Sequence, residues 1–141
     1  VVESVFFKLV RVVNLTARPF QQRVGRQHQL TLNEWRTLAV LAAEPGITAT
    51  QVSDLTGLDK MAVSRALTGL KQHKRVQRHD DPTDQRRSRL YLTAAGKALF
   101  EVASAEAQAR EAELFAGVDT AELARLGATL DKLIAAIETT D

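Results

Sequence analysis

Residues 48–73 read TATQVSDLTGLDKMAVSRALTGLKQH and residues 76–93 read VQRHDDPTDQRRSRLYLT; these two stretches decide the fold. In the first, Thr48-Ala49-Thr50-Gln51 is a capping box, in which the Thr hydroxyl and the Gln side chain each engage an amide that a helix start leaves free. It opens a short helix through about Thr56, with Val52 and Leu55 as the expected inward residues. Gly57-Leu58 makes a turn and Asp59 caps a second helix, 59–73. There Val63, Ala66, Leu67 and Leu70 fall at i, i+3, i+4 and i+7 and predict a buried stripe. Met61, Ser64, Arg65 and Thr68 occupy the opposite face. In the second stretch, Val76–His79 and Ser88–Thr93 alternate as strands, with Leu90 and Leu92 on one face and Arg89 and Tyr91 on the other. The turn-rich tip 80–87 joins them.

Upstream, Thr31-Leu32-Asn33-Glu34 is another capping box, and its helix presents Leu32, Trp35, Leu38, Ala39 and Ala42 on one face until Glu44-Pro45-Gly46 ends it. From Ser4 to about Gln29, Val5, Phe6, Leu9, Val10, Val12 and Val13 recur at helical spacing. Pro19 is expected to kink or restart that helix, because its ring removes a donor and clashes with the preceding turn. Downstream, Thr93 caps a long Ala-rich helix toward Phe115, and Gly117-Val118-Asp119 separates it from a last helix. That helix carries Leu123, Leu126, Leu130, Leu133 and Ile137 at spacings of three and four, a seam suited to packing against another helix. The predicted fold is mainly α with a small antiparallel β-wing, one domain over 1–141.

The formal charge of +2 hides a strong asymmetry. Residues 60–89 hold nine Lys/Arg and three Asp, a net of +6, whereas residues 101–141 hold three basic and nine acidic groups, a net of −6. A basic centre followed by an acidic tail points to a polyanion-binding face at one end of the molecule. With no Cys, disulfides, thiolate metal sites, Cys nucleophiles and thiol redox sensing are excluded within these residues. The longest apolar run, Leu38 to Ala43, is far below the ~20 residues a bilayer needs, and Glu3, Lys8 and Arg11 interrupt the apolar N-terminus. Neither a membrane span nor a signal peptide is expected, and the implied location is cytoplasmic. The chain begins with Val1 rather than Met, so further residues are expected before it.

No catalytic constellation is present, neither a G-x-S-x-G elbow nor a phosphate-cradling Gly loop, so no enzyme activity, catalytic residue or cofactor is assigned. Asp80, Asp81 and Asp84 lie in a Pro-containing turn flanked by Arg and lack the Gly and terminal Glu of a calcium loop. His28, His73 and His79 have no zinc-site spacing, so no metal is assigned either.

Two short helices joined by a tight turn, the second with a polar outer face, followed by a basic hairpin, form a winged helix-turn-helix pattern. The chemistry suits double-stranded DNA. A helix fits the major groove, where Lys60 and Arg65 offer donors to guanine, Ser64 and Thr68 reach bases or phosphates, and Met61 reaches a thymine methyl. Wing arginines suit the adjacent minor groove, Arg89 among the candidate contacts, and the helix start at Thr48 points amides and a hydroxyl at a phosphate.

The helix 31–43, the pair 48–56 and 59–73, and the wing resemble the multiple antibiotic resistance regulator (MarR) family. The most specific stretch is Asp81-Pro82-Thr83-Asp84-Gln85-Arg86 followed by Leu90-Tyr91-Leu92-Thr93-Ala94-Ala95-Gly96, which is similar to that family's D-P-x-D-x-R wing turn and L-T-x-x-G helix start. The resemblance implies that Asp84 pairs with and orients wing arginines, that Arg86 enters the minor groove, and that Arg87 is a second contact. It further implies a homodimer in which helices within 1–29 and 94–141 interleave while 31–93 forms the DNA-binding lobe, with recognition helix 59–73 and wing 76–93. Two such lobes would meet major grooves ~34 Å apart on a pseudo-palindromic site. The family implies a ligand-released repressor and a small aromatic acid ligand; Arg11, Arg18 and His28, with Trp35 as an aromatic wall, are the candidate pocket residues. Trp35 also reads as a plain core anchor. An alternative function is a winged-helix dimer that binds a ligand or protein partner without binding DNA.

One departure stands out. Where the family has Gly and then an apolar residue after the recognition helix, this chain has Lys74-Arg75. A non-Gly residue in a left-handed turn costs about 1 kcal/mol. Either the turn differs or Lys74 bears strain, and the added cations are alternatively phosphate contacts.

Overall fold

The computed structural model describes residues 1–84 and 87–140. The order is α1 (Val5–Phe20), a π-helical turn (Gln21–Gly25), α2 (Arg26–His28), α3 (Leu32–Ala43), α4 (Ala49–Thr56), α5 (Lys60–Gln72), β1 (Val76–His79), β2 (Arg89–Leu92), α6 (Ala94–Leu114) and α7 (Thr120–Thr140). One compact unit covers Val1–Ser104, and a second begins at Ala105.

The caps form as the side chains dictate. Thr31 N–H donates to Glu34 Oε1 at 2.9 Å while Glu34 N–H donates to Thr31 Oγ1 at 3.1 Å. Thr48 and Gln51 repeat the exchange at 2.9 and 3.3 Å. Asp59 Oδ1 accepts from Ala62 N–H at 2.7 Å and opens α5. Thr93 Oγ1 accepts from Gly96 N–H at 3.1 Å at the start of α6.

Leu38, Leu41, Val52, Val63 and Leu70 are sealed from solvent, and Val76, Leu90 and Leu92 close the core from the sheet side. β1 and β2 pair antiparallel in the register Val76↔Leu92 and Arg78↔Leu90, and Ile47 bridges Leu90 on the other edge of β2. Aromatic rings extend this core, with Trp35 stacked on Phe100 at 5.8 Å and tilted toward Phe20 at 6.5 Å.

One local expectation changes. Leu55, expected inward on α4, is 55% exposed, and Val52 is the buried residue of that helix. At Pro19 the helix restarts, as a π turn: α1 ends at Phe20 and the chain continues over Gln21–Gly25 in a wider register. Pro19 has no N–H to donate, so the ladder lacks one bond in the turn just before the register changes. Among the described residues, no helix is long and apolar enough to cross a membrane.

Candidate nucleic-acid interface

α5 is held by its inner face. Val63, Ala66 and Leu70 are buried, and Gly69 faces the buried Glu34 carboxylate so closely that a Cβ there would collide with it. The absent side chain leaves room for the Glu34 carboxylate between α3 and α5. The outer face carries Met61, 65% exposed, with Thr68 beside it on the crest of the helix. Two flanks diverge from that crest. Lys60, Ser64 and Lys71 face a cleft of about 420 Å³ walled by Thr48 at the start of α4 and by Arg78 and Ser88 on the wing. Arg65 lines a separate groove with Asn33 and Glu34 at the start of α3.

Helical periodicity puts Met61, Ser64, Arg65 and Thr68 outward, and all four are exposed, as is Lys60, a candidate for its charge; Thr48 is half-buried at the cleft edge. Lys71 and Arg78 were not singled out from sequence. Lys71 continues the Ser64–Thr68 row at helical spacing, and Arg78 follows Val76 in strand alternation, so both signals existed. Thr48, Ala49 and Thr50 at the start of α4 line this cleft, so it combines cations from α5 and the wing with the positive end of a helix.

The wing is braced by its own carboxylates. Asp81 accepts from Thr83 N–H at 2.9 Å and from the Thr83 hydroxyl at 2.6 Å, bonds that hold its carboxyl below the ordinary value of 3.8. Asp80 accepts from Ser88 Oγ at 2.8 Å and lies 3.4 Å from Arg78 Nε. Asp84 Oδ2 stands 3.7 Å from Arg87 Nε, and both are at the surface of the tip. Arg86, the expected minor-groove residue, lies outside the described residues. Arg89 is exposed, but its Nη1 donates to Gly46 O at 3.0 Å, so part of its guanidinium braces the base of the wing. Among the described residues no cluster of three or more His, Asp or Glu is placed to hold a metal ion.

The junction after α5 resolves one alternative. Lys74 does adopt the left-handed conformation, φ 58°, and β1 starts at Val76. Arg75 is turned back into the protein, where Nη1 donates to Gln29 O at 2.9 Å and Nη2 to His28 O.

The four pocket candidates do not converge on a described cavity. Arg11 and Arg18 are exposed on α1, His28 is half-buried, and Trp35 packs among Phe20 and Phe100. His28 Nε2 is buried without a polar partner among the described residues. A third cleft, about 400 Å³, lies behind the wing between Leu41, Tyr91, Lys97 and Phe100 and includes none of the four.

A sequence profile of the MarR family matches residues 28–87. A MarR-family transcriptional regulator from Silicibacter pomeroyi is 31% identical, over 92% of this chain and 85% of its own, with a TM-score of 0.74. The chain belongs to the MarR family. A MarR/EmrR-family transcriptional regulator from Acinetobacter sp. ADP1 is 28% identical over 95% of this chain and 94% of its own, with a TM-score of 0.87. BpsR of Bordetella bronchiseptica, whose DNA binding is regulated by 6-hydroxynicotinic acid, is 26% identical over 94% of each chain, with a TM-score of 0.82. No curated protein sequence matches the chain. The winged helix of this MarR-family member therefore has its helix-turn-helix, wing and flanking helices in the order that the residues predict.

Proposed function

We propose that this MarR-family chain acts as a homodimeric, sequence-specific duplex-DNA-binding regulator, a repressor that a small aromatic acid releases from its operator. The observation that carries the proposal is the cationic cleft between the start of α4, the outer face of α5 and the wing. Lys60, Ser64, Thr68 and Lys71 follow one side of a helix that the core holds outward, a shape and donor set suited to the major groove. Met61 and Arg65 extend that reading surface. Arg87, oriented by Asp84, and Arg86 are the proposed minor-groove contacts at the wing tip, while Arg89 retains donors beyond the one spent on Gly46. Thr48 contributes a phosphate contact at the helix start.

Dimerisation is supported by the uncovered apolar side chains of α1 and α7, Leu126, Leu130, Leu133 and Ile137 among them, with the half-buried Leu123 at the start of the same seam. The regulation of BpsR by 6-hydroxynicotinic acid supports an aromatic acid as the effector class. Arg11, Arg18, His28 and Trp35 remain the proposed ligand residues, and release requires the ligand to favour one dimer geometry over another.

Selection from a randomised duplex pool tests the proposal. The expected product is a pseudo-palindrome with half-sites about one helical turn apart. Arg65→Ala should lose ~1–3 kcal/mol on it, with relaxed preference at one position per half-site. Failure to enrich any duplex at low salt would leave the alternative, a winged-helix dimer serving a ligand or protein partner. Screening aromatic acids for thermal stabilisation, in Trp35→Ala as well as the parent chain, tests the effector class.

A further inference from the structure

The segment His73-Lys74-Arg75 joins the recognition helix to the wing, and it bonds both to the end of the N-terminal helical run and to the start of α6. On one side, Arg75 Nη1 donates to Gln29 O at 2.9 Å, Nη2 donates to His28 O, and His73 Nε2 lies 3.1 Å from Gln29 Oε1. On the other side, the Thr93 hydroxyl donates to Lys74 O at 2.7 Å and Thr93 N–H to Arg75 O at 3.1 Å. Gly96 sits where any Cβ would strike the Arg75 carbonyl. Two non-Gly residues in this junction, Gln29 (φ 51°) and Lys74 (φ 58°), hold left-handed conformations, and such conformations persist where surrounding contacts over-determine them.

The carbonyls of His28 and Gln29 close a helical run and have no helical donor, because the chain turns left-handed at Gln29. A guanidinium can satisfy both at once, since its donors lie in one rigid plane. We propose that Arg75 is a positioning residue, a latch that ties the end of the recognition helix to the end of the N-terminal helical run and sets the pitch of α5 without touching DNA. The latch gives a rearrangement of the flanking helices a direct route to α5. It rests on the DNA-binding reading for its consequence, but the bonds themselves are testable without DNA.

The full-length chain carrying Arg75→Lys, and separately Arg75→Met, tests this against the pool-selected duplex. A single ammonium cannot hold both carbonyls, so R75K should weaken binding roughly tenfold, within the usual range of coupling between sites. R75M should weaken it further, and in neither should the slope of log K against log salt change. Amide exchange at Leu30, whose N–H donates to Gly25 O at 3.0 Å beside the latched carbonyls, and at Thr93 should accelerate in both variants while the α3 core stays protected. A phosphate-contacting Arg75 gives a different pattern: R75K keeps its affinity, because Lys also binds phosphate, and R75M loses about 0.9 of slope per contact. That pattern overturns the latch, as does a lowered melting temperature with unchanged affinity. If R75M does not fold, R75K decides by the same criteria. If the parent chain selects no duplex, the DNA-binding reading fails separately, and the exchange rates of Leu30 and Thr93 alone uphold or overturn the latch.

Discussion

In the winged lobe Leu38, Val52 and Leu70 are sealed from water, whereas along α7 Leu133, Ile134 and Ile137 are 43%, 52% and 63% exposed. The same residue types, at similar helical spacing, meet opposite fates. In the lobe, α3, α4, α5 and the wing cover one another's stripes within a single chain. The α7 seam has the periodicity of a packing face but stays largely uncovered, and several apolar residues of α1 are exposed as well. The difference teaches that periodicity marks an apolar face without saying whether its own chain covers it. A lobe that closes itself leaves its polar face free, while the uncovered seam is where the proposed dimer would form.

The comparison breaks most severely at the seam. If the seam forms the proposed dimer, Leu133→Asp should give a monomer in sedimentation velocity and lower duplex affinity on the order of 10²-fold or more, by removing the second, tethered half-site contact. The lobe should keep its helical circular dichroism. Leu70→Ala strikes the other side of the comparison. It should cost about 2–5 kcal/mol in denaturant unfolding, the usual range for a fully buried Leu. At concentrations where the lobe remains folded, its sedimentation should match that of the parent chain.

How much was legible follows the same division. The three helix starts at Thr31, Thr48 and Asp59, the stripe Val63-Ala66-Leu70 and the alternation of Leu90 and Leu92 depend on contacts a few residues apart, and all appear at their expected places. Leu55 was misread because periodicity defines a stripe's direction but not how far the neighbouring elements extend over it. The restart at Pro19 was legible from its missing donor, but its form, a π turn, was not, because how a helix absorbs that loss depends on what packs around it. Arg75 was legible as a departure and not as a latch, since its acceptors are main-chain carbonyls 46 and 47 residues away. The cleft residues Lys71 and Arg78 come from different elements, and only the packing of α5 on the sheet brings them together.

Smaller effects sharpen the account of the lobe. Lys74→Gly should raise stability by about 1 kcal/mol in thermal or denaturant melts, because Gly enters the left-handed region without a Cβ penalty. An unchanged or lowered stability would mean that the Lys74 side chain contributes more than its backbone costs. At the wing tip, Asp81 titrates below 3.8 because its charged form accepts the Thr83 hydroxyl and amide. Its contribution is therefore fully present above 3.8 and is lost as the pH falls through the lowered folded-state value. The Thr83 amide shift, followed by NMR, should titrate with its midpoint below 3.8; a midpoint above 3.8 would contradict the bonding.

On the proposed function, the face formed by α4, α5 and the wing grips the phosphates and bases of duplex DNA. The salt dependence of duplex binding tests this most directly. With several Lys and Arg from each of two lobes on phosphates, log K should fall linearly with log salt with a slope of about −5 or steeper. A slope near zero, or no duplex affinity at low salt, would contradict it.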